Sequence, residues 1–176
     1  LGMLDSQKFG CGEKMNKFKK KSNEYVVIGS KPWNQRIFQE VISKYPGKWH
    51  FFSDLNAIIT SDLEKSNPRY IFFLHWSSLV PAYFFENYEC VCFHMTDVPF
   101  GRGGSPLQNL IVQGYRSTKL SAFRMINKLD AGPVYQKREL SLEGNAEEIY
   151  IRATYISADI IREIIHVQDI KDPHVM

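Results

Sequence analysis

The chain has 176 residues, 44% of them hydrophobic and 23% charged, with a formal net charge of +3. That length supports one domain with a substantial core, and no apolar run approaches the roughly 20 residues a membrane span needs. The charge is lopsided: residues 1–23 carry six lysines against Asp5 and Glu13, a net of +4, which leaves −1 on the rest and no basic surface for nucleic acid.

In chain order, residues 1–23 lack the apolar stretch of a secretory signal and read as a flexible basic leader or tag remnant, with Met15 as an alternative start. One catalytic-size unit is expected over 24–176. "YVVIGS" (25–30) is a β-branched run stopped by glycine, serine and then Pro32, the pattern of a buried strand. "NQRIFQEVISKY" sets Ile37, Val41 and Ile42 at helical spacing and ends at Pro46-Gly47. "WHFFS" predicts a second strand, "LNAIITSDLEKS" a short helix or helix–loop, "YIFFLHW" (70–76) a third strand and "AYFFENY" a helical turn. "CVCFHM" is a fourth strand. "SPLQNLIVQGY" opens like a helix, with Ser105 as N-cap, Pro106 at the first position and Gly114 as its stop. "KLSAFRMI" and "VYQKRELSL" read as strands around "NKLDAGP". A capping box of Asn145 and Glu148 then starts the helix "NAEEIYIRATYISADIIREII". Strands that are apolar on both faces and alternate with helices predict an α/β fold, a Rossmann-like, mostly parallel sheet with flanking helices.

Cys11, Cys90 and Cys92 make no even disulfide framework, and Cys90-x-Cys92 puts two thiols on one strand face without the loop of a zinc or redox site. They read as small buried hydrophobes of a protein in a reducing cytoplasm. No histidine–carboxylate cluster has metal spacing, so no metal is expected.

One stretch looks written for chemistry. In "CVCFHMTDVPFGRGGSPLQN" (90–109), His94, Asp97, Arg102 and three glycines crowd the loop just past the fourth strand. That edge is where open α/β sheets bind ligands. "GRGGSP" lacks the lysine of a phosphate loop, "GSKPWN" lacks the GxGxxG of a dinucleotide site, and HExxH and GxSxG are absent.

"HMTDVPFGRGGSPLQNLIVQG" followed by "KLDAGPVYQKREL" resembles the 10-formyltetrahydrofolate-dependent formyltransferase family. That family's signature is Asn-x-His-Pro-Ser-Leu-Leu-Pro, then Arg-Gly-x-x-Pro, a helix, and Leu-Asp-x-Gly. His94 and Pro99 keep the spacing, Arg102-Gly103 follow with Pro106 in register, and Leu129-Asp130-Ala131-Gly132 closes the set. The likeness covers residues 25–165. Two departures stand out: Cys92 occupies the position of the family's asparagine, and Met95-Thr96-Asp97 replaces Pro-Ser-Leu.

The resemblance implies a formyltransferase fold and transfer of a formyl group from 10-formyltetrahydrofolate to a primary amine. It implies His94 and Asp130 as the catalytic pair, with the group that takes the amine proton left open. Gln108 and Asn109 are the nearest replacements for the missing amide. His75, Trp76, Ser77, Leu129 and Asp130 would bind the folate. Thr96, Asp97, Arg102 and Gly103 would face the amine, with Arg102 either pairing with Asp97 to shape the loop or receiving an anionic group. Within the family, compact enzymes acting on amino sugars or sugar nucleotides, the pseudaminic-acid type among them, fit best. A glycinamide-ribonucleotide-type enzyme and a non-catalytic folate-binding member are the alternatives. The expected partner is a small-molecule amine in the cytoplasm, with no nucleic acid and no membrane, and a homodimer is compatible with this reading.

Overall fold

The computed structural model describes residues 22–59, 61–102 and 104–167. Most of the expected leader, with Cys11 and Met15, and the expected site residue Gly103 lie outside the described residues. Six strands, β1 (Glu24–Ile28), β2 (Lys48–Phe52), β3 (Tyr70–Phe73), β4 (Cys90–His94), β5 (Ser117–Arg124) and β6 (Val134–Ser141), form one sheet in the order β2-β1-β3-β4-β5-β6. The pairings among the first four are parallel, and β5 and β6 join antiparallel. The expected α/β architecture with a mostly parallel sheet is the one observed.

The apolar strands dictate helices on both faces. All four residues of β3 are buried, so neither face of that strand can meet water. On one face Val27, Phe72, Val91 and Phe93 pack with helices α1 (Pro32–Glu40), α5 (Pro106–Val112) and α6 (Ala146–Val167) through Ile37, Leu107, Leu110, Ile160 and Ile164. On the other, Val26, Ile71, Phe73 and Cys90 meet α2 (Leu55–Ile59), α3 (Leu63–Ser66) and α4 (Ala82–Asn87) through Ile58, Leu63 and Phe84. Each such large side chain contributes roughly 1.5–3 kcal/mol on burial. Among the described residues, no helix is long and apolar enough to cross a membrane.

Several elements differ from expectation for local reasons. The first helix stops at Glu40 and continues only as a 3-10 turn over Ile42–Lys44, because Val41 leaves the helical region at φ −125. "LNAIITSDLEKS" splits into the two short helices α2 and α3. The third strand ends at Phe73, since His75 adopts φ +49 and turns the chain away. Ser105 is a correction: it sits at φ +56 and makes no side-chain cap bond, so Pro106, which has no N–H to satisfy, opens α5 unaided. The Asn145–Glu148 box forms as expected, with reciprocal bonds of 2.8 and 2.9 Å. Cys90 and Cys92 are buried and form no disulfide.

Candidate active site

Alternation along β4 sends Val91, Phe93 and Met95 toward α1 and α6, and Cys90, Cys92 and His94 to the opposite face. His94, the last residue of the strand, therefore stands at the carboxyl edge of the sheet. Its Nε2 lies 2.9 Å from the Gly101 carbonyl and 3.8 Å from Asp130 Oδ2. A carbonyl oxygen only accepts, so Nε2 carries a proton and donates it. Gly101 reaches this position at φ +66, where a Cβ would lie 2.6 Å from Thr96 Cγ2. Only glycine fits there.

Asp130 arrives by a return path. β5 runs antiparallel to β4 with Arg124 opposite Val91, so it ends near the amino end of β4. The connection 125–133 then folds back over the sheet to bring the carboxylate to His94. Met125 N donates to Cys90 O at 2.8 Å and Arg124 N to Pro133 O at 2.9 Å, which pins both ends of that connection. Gly132 passes so close to β5 that a Cβ would sit 1.6 Å from the Arg124 carbonyl oxygen. Asp130 itself has φ +47, and Arg102 Nε donates to its main-chain carbonyl at 2.9 Å. The His94 and Asp130 side chains are each only 10% exposed.

Cys92, one turn of the pleat behind His94, feels the same carboxylate. Burial first, and then the Asp130 charge, push its thiol up to about 12, so it stays neutral and is no nucleophile. Asp97 departs from the expected pairing with Arg102. Lys137 Nζ donates to its Oδ1 and to Val98 O, and Lys119 Nζ lies 3.6 Å from Oδ2. The Lys137 hydrogen bond, ahead of the charges around it, holds this carboxyl below its ordinary range. Both lysines project from strands already neighbouring the loop, whereas Arg102 is turned toward Asp130. Thr96 is fully buried, and Ser121 Oγ donates to its carbonyl at 2.6 Å, fixing the loop to β5.

The remaining expected residues divide. His75 and Trp76 are neighbours in sequence but face opposite ways: the His75 ring meets Tyr150 of α6 edge-on at 6.1 Å, and the Trp76 ring meets Phe73 edge-on at 6.3 Å. Burial, and secondarily His94, lower the His75 pKa to about 4. Ser77 is exposed, as is Leu129 at 65%. Gln108 and Asn109 are exposed on α5, whose leucines pack on the face opposite His94. Sequence reading misses the Gly101 carbonyl, Trp33 and Tyr150. Only the glycine carries a local signal, its place just after Pro99-Phe100. Among the described residues no group of three His, Cys, Asp or Glu side chains is placed to hold a metal.

No family model matches the chain. It is 41% identical to the methionyl-tRNA formyltransferase from Clostridium thermocellum, with a TM-score of 0.74 over 82% of this chain and 65% of that one. The chain shares the fold of these formyltransferases. Among curated formyltransferases, it is 27% identical over 142 residues to the methionyl-tRNA formyltransferase of Rickettsia massiliae, covering 78% of this chain. It spans only 45% of that relative's length. A Mycobacterium tuberculosis protein assigned to the sugar N-formyltransferases aligns with a TM-score of 0.63 at 16% identity, over 82% of this chain and 66% of that one. At that identity the formyltransferase fold alone is shared.

Proposed function

We propose that this site transfers a formyl group from 10-formyltetrahydrofolate to a primary amine. The observation that carries the reading is the approach of His94 Nε2 to Asp130 Oδ2 at 3.8 Å, both largely withdrawn from water, at the carboxyl edge of a formyltransferase fold. As the amine nitrogen bonds to the formyl carbon, negative charge develops on the formyl oxygen. The amine gives up a proton and the departing folate nitrogen gains one, so the reaction balances without an added base.

His94 is suited to the first task, because its Nε2 proton points at an acceptor, and the formyl oxygen would replace the Gly101 carbonyl. One such donor contributes roughly 3–4 kcal/mol to the transition state. Asp130 is suited to the second, as the carboxylate 3.8 Å from His94 Nε2. Arg102 and Asp97 shape the loop in this reading, one by holding the Asp130 carbonyl and the other through Lys137. Thr96, fully buried, supports the loop beneath the amine side rather than touching substrate. Gln108 and Asn109 are not used in this reading: both are exposed on α5, which packs through Leu107 and Leu110. The residues fit the folate: Trp76 offers a ring and a buried Nε1 without a hydrogen-bond partner among the described residues, and Ser77 and Leu129 are exposed.

For the acceptor we favour an amino sugar or sugar nucleotide, because residues 24–176 carry a net charge of −1 rather than the positive charge that RNA phosphates favour. The names of the Clostridium thermocellum and Rickettsia massiliae proteins it resembles favour methionyl-tRNA as the second reading. Incubation with 10-formyltetrahydrofolate and a panel of amino sugars, amino-sugar nucleotides, glycinamide ribonucleotide and methionyl-tRNA decides between them. Tetrahydrofolate release with a matching formamide by mass spectrometry is the expected result. Stoichiometric folate binding with no formamide from any amine would overturn the enzymatic reading.

A further inference from the structure

Three aromatic residues from separate elements meet on the α6 side of the carboxyl edge. Trp33 opens α1, His75 follows β3 and Tyr150 lies on α6, with Tyr150 6.0 Å from the Trp33 ring and 6.1 Å from the His75 ring. Their corner is held firmly. Asn34 Oδ1 accepts from Lys31 N, its Nδ2 donates to Thr154 Oγ1, and Gly29 makes room for it, since a Cβ there would be 2.6 Å from Asn34 Cβ.

Within this rigid corner, Trp33 Nε1 and both ring nitrogens of His75 are buried without a hydrogen-bond partner among the described residues. Leaving such groups unpaired is costly; here both residues border Tyr150, and His75 follows the strand that pairs with the strand of His94. His75 also sits at φ +49, a conformation that directs its ring to α6 and away from the folate-side tryptophan. Burial keeps the imidazole neutral, so one ring nitrogen donates and the other accepts.

We propose that Trp33, His75 and Tyr150 form the acceptor subsite and that they recognise an uncharged, hydroxylated ring next to the reacting amine. A hydroxyl both donates and accepts, matching a neutral imidazole beside an indole N–H. The carbon-bound faces of such a ring suit aromatic walls. A phosphate or carboxylate would find no cation among these three side chains. The inference rests on the formyl-transfer reading for the identity of the amine, but the subsite can be tested without turnover.

The probes are D-glucosamine and a nucleotide-linked 4-amino-4,6-dideoxyglucose, titrated into folate-free protein while tryptophan fluorescence is followed. Methionine methyl ester serves as an amine without hydroxyls. Saturable quenching by at least one sugar amine, with the Kd measured by calorimetry weakened about 10-fold in both Trp33→Phe and His75→Asn, supports the subsite. Asparagine tolerates positive φ, and melting curves of both variants establish that they fold. In turnover assays the same variants should raise the KM for the sugar amine and leave the KM for the folate donor unchanged. Absence of saturable sugar-amine quenching in the unsubstituted protein, or identical Kd values in all three proteins, overturns the proposal. A protein that binds sugar amines in this way yet forms no formamide keeps the subsite and loses the formyl-transfer reading.

Discussion

His94 Nε2 and Asp130 Oδ2 stand 3.8 Å apart, although one ends a central strand and the other lies in the connection between the last two strands. Both residues are tied through backbone carbonyls: that of Gly101 accepts from the histidine, and Arg102 grips that of Asp130. The His94 ring also meets the buried Phe123 edge-on at 6.4 Å. Substitution at either should damage chemistry more than stability. We expect His94→Ala and Asp130→Asn each to lower kcat by roughly 10²–10⁴. Asparagine is chosen because Asp130 has φ +47, which asparagine adopts readily. Turnover near that of the parent protein, with both variants folded by circular dichroism, would reduce the pair to a structural contact.

Gly132 offers a sharper test of how the pair is assembled. A Cβ there would fall 1.6 Å from the Arg124 carbonyl oxygen, and backbone cannot yield as a flexible side chain can. Gly132→Ala should cost about 3 kcal/mol or more, or displace the connection and abolish activity. Gly104→Ala is the control, because nothing lies within 4 Å of its Cβ position. Equal melting temperatures for the two variants would mean that the connection does not pass over β5 as described.

The parallel half of the sheet is legible in the sequence because its strands are short, largely apolar runs, the first closed by Gly29 and the second opened after Pro46-Gly47. The capping box at Asn145 and Glu148 is legible because it is local. A motif singles out His94 and Asp130, but not the path by which 125–133 crosses the sheet, which depends on the antiparallel register of β5. Proximity in sequence suggests Asp97 beside Arg102, yet Asp97 pairs with Lys137 and Lys119 across strands instead. The grouping of Trp33 with Tyr150 is illegible for the same reason: helical and strand periodicity mark which face is buried, not which ends of distant elements meet.

Arg102→Lys asks whether the guanidinium shapes the loop. Lysine keeps the charge but loses the rigid planar donor that now holds the Asp130 carbonyl. Small displacements of a catalytic group are costly, so kcat should fall about 10-fold while the acceptor KM stays within about 2-fold. The opposite pattern, a raised KM at unchanged kcat and Tm, would instead make Arg102 a contact for an anionic group of the substrate.

The neutral His75 leaves a signature in the dependence of stability on pH. Its folded pKa of about 4 lies below the ordinary 6.5, with burial the larger cause and the nearby His94 the smaller. Below pH 6.5 the unfolded chain takes up a proton at this position that the folded protein refuses. Protons bound only by the unfolded state favour unfolding. The stabilisation is therefore complete above pH 6.5, falls away as pH drops toward 4, and levels off once both states are protonated. His94 and Tyr150 are the other titratable groups facing this ring, so the parent protein's curve alone would not isolate the effect. The difference in Tm between the parent protein and His75→Asn does. We expect that difference to be constant above pH 6.5 and to shift in favour of the variant between pH 6.5 and 4. A difference that stays flat across the whole range would mean that His75 protonates in the folded protein as freely as in the unfolded one, and that its ring nitrogens are not withdrawn from water.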